Sequence, residues 1–199
     1  MQKAIITIVY HSNHGHTETV ALTLEEFLES DFIQVNVIHV KDIGEDWERF
    51  HASDVIIFGS PTYFGNVSAD FKKFMERTGG FWYKQLWKDK LAAAFTVSSS
   101  TSGDKLNTLQ SLSVFAAQHS MLWISQGILP RYLNDQQTDG QNRLASYLGM
   151  MIQSDNSQQA VQPFHSGDLL TIELFAERIK NIVLKFKNIK IDSYEPHRN

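Results

Sequence analysis

Ser12-Asn13-His14-Gly15-His16-Thr17-Glu18 places two hydroxyls, an amide and a glycine between an apolar run and a stretch of helical periodicity. Backbone N–H groups at a helix N-terminus point at an anion. Charge-assisted hydrogen bonds of roughly 1.5–3 kcal/mol each let several such donors hold a phosphate dianion without Lys or Arg. A Walker-type loop needs Gly-Lys-Ser/Thr and a dinucleotide fingerprint needs three spaced glycines, so this stretch fits a flavin monophosphate better than ATP or NAD. Ser and Thr are also good helix caps, and an ordinary capped turn fits the same residues.

Two further stretches have the same character. In Gly59-Ser60-Pro61-Thr62-Tyr63-Phe64-Gly65-Asn66-Val67 an apolar run ends in Pro, two aromatics and Gly before Ser68 opens a helical segment. An aromatic ligand can stack there, and N–H groups held by Pro and Gly geometry can face the polar edge of an isoalloxazine; a tight turn with packed aromatics is the alternative. The third stretch, Ser98-Ser99-Ser100-Thr101-Ser102-Gly103, sets a row of hydroxyls beside a helix start, or is a plain Ser-rich connection. Three polar loops at three strand ends of one sheet argue for a ligand site more strongly than any one of them. His11, His14 and His16 raise a metal site, but no carboxylate ligand accompanies them and none is expected. The aromatic run Phe81-Trp82-Tyr83-Lys84-Gln85-Leu86-Trp87 suits a small-molecule pocket or subunit contact, or caps the core.

These loops need a scaffold. Short apolar runs at Ala4 to Tyr10, Ile33 to Val40, Val55 to Gly59, Leu91 to Val97 and Met121 to Ser125 read as strands. Helical spacing falls between them, as in Val20, Ala21, Leu24, Phe27 and Leu28, and closes with a long helix carrying Phe175, Ile179, Val183 and Phe186. Strands that are apolar throughout and alternate with helices predict a parallel sheet covered on both faces, an α/β three-layer sandwich. In such sheets ligands bind beyond the carboxyl ends of the strands, where all three loops fall. A polar excursion at about 132–165 is expected before the last helix, within a single domain spanning 1–199.

Composition narrows the function. The chain has 199 residues, 42% hydrophobic, enough for one core. Its 18 basic and 22 acidic residues are dispersed, which argues against nucleic-acid or membrane-surface partners. Met1-Gln2-Lys3-Ala4-Ile5 leads straight into a strand, no apolar run reaches the ~18 residues of a membrane span, and the expected address is the cytoplasm. With no cysteine, thiolate catalysis and iron-sulfur sites are excluded, so redox chemistry here requires a bound cofactor.

Tyr10 to Glu18, Phe58 to Ser68, and Thr78-Gly79-Gly80-Phe81-Trp82 with the following Lys90-Leu91-Ala92 resemble the flavodoxin-like NAD(P)H:quinone oxidoreductases of the WrbA type and related FMN reductases. The similarity spans most of Ala4 to Pro130. It implies a flavodoxin-like sandwich with a five-stranded parallel sheet in the order 2-1-3-4-5. It also implies noncovalent FMN, NAD(P)H as electron donor, a quinone-like acceptor and a homodimer or homotetramer. By the same resemblance Ser12 to Thr17 hold the FMN phosphate, Pro61 to Gly65 contact the flavin ring, and Val97 to Ser102 form the third FMN loop. Trp82 lines the acceptor pocket, joined by His14, which replaces a family aromatic associated with nicotinamide, and by His119, which with Gln118 falls at a family His. The family's Gly-rich third loop is here mainly Ser and Thr, and its insertion between the second and third strands is reduced to Asp42 to Ser53. The non-enzymatic alternative is a one-electron carrier of the flavodoxin kind that docks on redox partners.

Overall fold

The computed structural model describes residues 3–45, 47–135, 139–154 and 164–187. In chain order the elements are β1 (Ala4–Tyr10), α1 (His16–Leu28), β2 (Ile33–His39), α2 (Glu48–His51), β3 (Val55–Tyr63), β4 (Asn66–Val67), α3 (Ala69–Arg77), α4 (Gly79–Tyr83), β5 (Leu91–Ser98), α5 (Lys105–Gln118), β6 (Leu122–Trp123), α6 (Tyr132–Asp135), β7 (Met150–Gln153) and α7 (Ser166–Phe186). The main sheet is parallel and runs β2-β1-β3-β5-β6, with the two-residue β4 turned back on β3 as a hairpin. Counting only the strands expected from sequence, this is the order 2-1-3-4-5.

Both faces of the sheet are covered because its central strands are apolar throughout. On one face Ile6, Ile8, Ile57 and Phe95 pack with Val20 and Leu24 of α1 and with Phe175 and Ile179 of α7. On the other, Val9, Phe58, Ala92 and Ala94 meet Phe71 and Phe74 of α3, Leu109, Leu112 and Phe115 of α5, and Trp87. Burial of apolar surface on this scale, at roughly 25 cal/mol per Å², is what holds the layers together.

The fifth strand position departs from expectation. The run expected over Met121 to Ser125 pairs only at Leu122 and Trp123, opposite Leu91 and Ala92. The chain then leaves the sheet and returns as β7, which pairs in parallel with Phe95 to Ser98. The polar excursion therefore begins inside the fifth strand position and interrupts it, rather than simply preceding the last helix; residues 136–138 and 155–163 lie outside those described. Gly149 permits the return, because a Cβ there would lie 2.8 Å from the Ala94 carbonyl oxygen and 2.9 Å from a Leu109 methyl. Met150 and Ile152 then bury themselves while Met151 and Gln153 are only half-buried, a four-residue alternation too short to stand out in a polar stretch.

His119, just past α5, is packed into this core. Its ring lies 4.6 Å from that of Trp87 and 4.8 Å from that of Phe115. The Thr78 hydroxyl donates its single proton to the Met75 carbonyl at 2.7 Å, so His119 Nε2, 2.9 Å from Thr78 Oγ1, must be the donor. Nδ1 is then a buried acceptor with no partner. Burial lowers the His119 pKa to about 4. Between pH 6.5 and 4 the unfolded chain therefore takes up a proton that the folded chain refuses. The stability from a neutral His119 is complete above pH 6.5 and is lost as the pH falls through that window, on the order of 2–3 kcal/mol. In urea titrations at pH 7 and 4.5, His119→Phe should lose less stability over the interval than the wild type. Equal losses would show that residue 119 titrates alike in the folded and unfolded chains.

Candidate functional site

The carboxyl ends of β1, β3 and β5 are level, with Tyr10 beside Gly59 and Pro61 beside Val97. Their loops enclose a cleft of about 430 Å³. Ser12, Asn13, His14, His16 and Thr17 line it from the first loop, Pro61, Thr62 and Tyr63 from the end of β3, and Val97, Ser98 and Ser99 from the end of β5. The cleft lies where the strand order reverses, with β2 to one side of β1 and β3 to the other.

The first loop gathers unpaired donors at the start of a helix. Gly15 takes the left-handed conformation, φ +85°, immediately before α1, a conformation that costs a side-chain-bearing residue about 1 kcal/mol or more. The first helical hydrogen bond is Thr19 N–H to the Gly15 carbonyl at 2.8 Å, so the N–H groups of His16, Thr17 and Glu18 have no acceptor within the helix. Ser12 Oγ and His16 Nδ1 are buried without partners at the same place. The loop is braced from outside: the Tyr10 hydroxyl at the end of β1 donates to Glu18 Oε1 at 2.8 Å, and burial with this carboxylate raises the phenol's pKa. His11 sits beneath, buried, with Nε2 3.4 Å from Asp70; burial lowers its pKa, and the carboxylate opposes that.

The second loop is a tight hairpin turn. Phe64 and Gly65 both have positive φ, 48° and 74°, the geometry that joins two twisted antiparallel strands. This swings Phe64 fully into solvent at the tip, and neither Phe64 nor Gly65 lines the cleft, whereas the half-exposed Tyr63 does. Thr62 is in the wall, but its hydroxyl lies 2.7 Å from that of Thr96 and 2.8 Å from that of Thr108. That buried chain ties β3 to β5 and α5 and turns the Thr62 hydroxyl to a structural use.

In the third loop Ser98 and Ser99 line the cleft, while Ser100, Thr101 and Ser102 do not. The Lys105 ammonium holds this turn by donating to Ser98 Oγ at 2.9 Å and to the carbonyls of Ser100 and Thr101. Sequence reasoning passed over Lys105, although one signal was present: it occupies the apolar face of α5 with Leu109 and Leu112. Ser154, just beyond β7, also lines the cleft and was missed, because the strand that delivers it was not recognised. Its N–H donates to the Ser98 carbonyl at 3.1 Å.

Trp82 and His119 do not join His14 at this cleft within one chain. They line a second depression of about 470 Å³ between α3 and α5, with Met75, Thr78, Val114 and Phe115. Helix direction is the reason. In a right-handed crossover the helix starts near the carboxyl end of one strand and runs back to the amino end of the next, so residues following α3 and α5 fall at the opposite edge of the sheet. Trp82 is half-exposed there, and His119 is buried as described above. Among the described residues no cluster of three or more His, Asp or Glu is placed to hold a metal, and no helix is long and apolar enough to cross a membrane.

Residues 5–131 match the model of the NADPH-dependent FMN reductase family. The chain belongs to that family. Among relatives of this FMN reductase family member, it is 34% identical over 183 residues to the flavodoxin FldP of Pseudomonas aeruginosa, covering 92% of this chain and 97% of that protein. It is 30% identical over 125 residues to an NAD(P)H dehydrogenase (quinone) of Gluconacetobacter diazotrophicus, covering 54% of this chain and 63% of that one. A solved flavodoxin, WrbA-like protein from Agrobacterium tumefaciens superposes with a TM-score of 0.70 at 32% identity, over 92% of this chain and 99% of its own. The flavodoxin-like fold is thus shown, with β7 and Ser154 beyond the part that matches the FMN reductase model.

The threonine chain gives a direct test of what holds the cleft wall. Thr62→Val keeps the shape but leaves the hydroxyls of Thr96 and Thr108 short of a partner, and should lower the unfolding free energy by about 1–3 kcal/mol. A loss below about 0.5 kcal/mol would show that the two remaining hydroxyls satisfy each other.

Proposed function

We propose that the protein is an FMN-dependent oxidoreductase that oxidises NAD(P)H and reduces a quinone or similar small acceptor. The observation that carries this reading is the start of α1, where N–H groups without acceptors in the helix and the buried, partnerless Ser12 Oγ and His16 Nδ1 belong to residues that line a cleft with no Lys or Arg among its described lining residues. A ligand bearing a phosphate and a flat polar ring fits that donor set. Bound FMN would supply the hydride-accepting and hydride-donating chemistry. The chain's own part is to bind, orient and polarise. Ser12 to Thr17 would hold the phosphate, and Pro61 to Tyr63 with Val97 to Ser99 would flank the ring, leaving Phe64, Gly65 and Ser100 to Ser102 to shape the loops. His14, an exposed lining residue of the cleft, would meet a second substrate.

The similarity to an NAD(P)H dehydrogenase (quinone) supports this acceptor class. Trp82 and His119 lie too far round the sheet to meet an acceptor in their own chain's cleft, so a role for Trp82 requires a second copy of the chain. That is consistent with the homodimer or homotetramer suggested by the family resemblance. One sheet shared by both apolar layers supports reading the chain as a single domain, and the cytoplasm is its working address. The second reading, a one-electron carrier, is favoured by the similarity to the flavodoxin FldP.

Purified protein should bind FMN at least tenfold more tightly than riboflavin, and Ser12→Ala with Thr17→Ala should weaken FMN by about 1–3 kcal/mol. Equal binding of the two flavins would remove the phosphate from the first loop. Steady oxidation of NADPH or NADH with benzoquinone, without any added protein, separates the readings: an oxidoreductase turns over, whereas a carrier needs a reductase to charge it. Trp82→Ala should raise the KM for benzoquinone and leave the FMN dissociation constant unchanged. Loss of FMN from that variant would instead make Trp82 a structural residue.

A further inference from the structure

We propose that Lys105 is a positioning residue that biases the cleft toward negative charge, so that reduced flavin is held more tightly than it would be beside a neutral residue. The inference rests on the FMN reading above. Lys105 is fully buried at the start of α5, yet among the described residues no carboxylate is bonded to its ammonium. Its three N–H groups go to neutral oxygens: Ser98 Oγ at 2.9 Å, the Thr101 carbonyl at 3.2 Å and the Ser100 carbonyl. The charged groups around it are Asp168 on α7 and Arg143 from the excursion, with Asp104 exposed beside it. Asp168 is already matched: an Arg143 terminal nitrogen donates to Oδ2 at 3.0 Å, the charged Arg143 Nε lies 2.8 Å from Oδ1, and Gln153 N–H adds a bond of 2.9 Å. Within the buried trio of Lys105, Asp168 and Arg143 one positive charge is therefore left over, and it resides on Lys105; the exposed Asp104 carboxylate is screened by water.

That charge lies directly behind the cleft wall. Ser98 lines the cleft, and the ammonium occupies a lone pair of its hydroxyl. The Ser98 proton has only a long alternative, 3.4 Å to the Ser100 carbonyl, and is thus available to an acceptor in the cleft. A desolvated ammonium acts through little intervening solvent, and a preorganised positive charge stabilises negative charge that develops on a neighbour. Burial also depresses the Lys105 pKa to about 8, so the charge is present at neutral pH and is withdrawn in mildly alkaline solution.

The test is the midpoint potential of FMN bound to the wild type, Lys105→Met and Lys105→Arg. Lys105→Met should lower the affinity for reduced relative to oxidised FMN about tenfold, a potential about 30 mV more negative for a two-electron couple. Lys105→Arg, which keeps the charge, should recover most of it. An unchanged potential in Lys105→Met, or equal weakening of both redox forms, would reduce Lys105 to a loop clamp and overturn the proposal. If Lys105→Met fails to fold, the wild type decides alone against Lys105→Arg: its potential should fall more steeply with pH near pH 8, and parallel slopes overturn the proposal. A wild type that binds no FMN is a different result, visible before any variant is made, and overturns the cofactor reading together with this inference.

Discussion

Parallel pairing of β1 with β3 and of β3 with β5 is the constraint from which the rest of the structure follows. Strands that run the same way and are paired nearly level must end together. Each must then be followed by a helix that begins at that edge, because a parallel neighbour can be reached only by a crossover. Three polar loops and the positive end of α1 are thus gathered at one rim without any contact between the loops being needed to bring them there. The same direction rule carries the far ends of α3 and α5 away, and Trp82 and His119 with them.

What the pairing gathers, buried polar groups hold in shape. Tyr10 spans from the end of β1 to Glu18, the threonine chain joins β3 to β5 and α5, and Lys105 ties the turn after β5 to its own helix. Arg143, Asp168 and Gln153 extend this support to β7 and α7, and the Gln153 side chain reaches the Ser99 carbonyl at 2.8 Å. The excursion is therefore part of the cleft's foundation: it supplies Arg143, and its return supplies Ser154 at the rim. Among the described residues that line the cleft, Ser12 and His16 are the two with a buried polar atom lacking a partner, and such atoms are costly unless something else completes them.

The sequence by itself determined the layers and the loops that meet at the cleft, while the strand order came with the family resemblance of its motifs. Layers and loops follow from local pattern: short apolar runs rich in Ile and Val that alternate with helical periodicity read as buried strands, and glycine and hydroxyl residues between a strand and a helix mark turns and caps wherever the chain goes. Ser12 to Thr17, Pro61 to Tyr63 and Val97 to Ser99 were legible in this way. Only the tertiary structure decided which atoms of these loops face inward. It turned the Thr62 hydroxyl toward Thr96 and swung Phe64 into solvent. It also decided that the fifth strand position is filled by two segments more than 20 residues apart, that Lys105 lies behind Ser98, and that Trp82 and His119 belong to another depression. These are relations between residues distant in sequence. They depend on packing and on the direction of helices after they leave the sheet, and neither leaves a period or a motif in the chain itself.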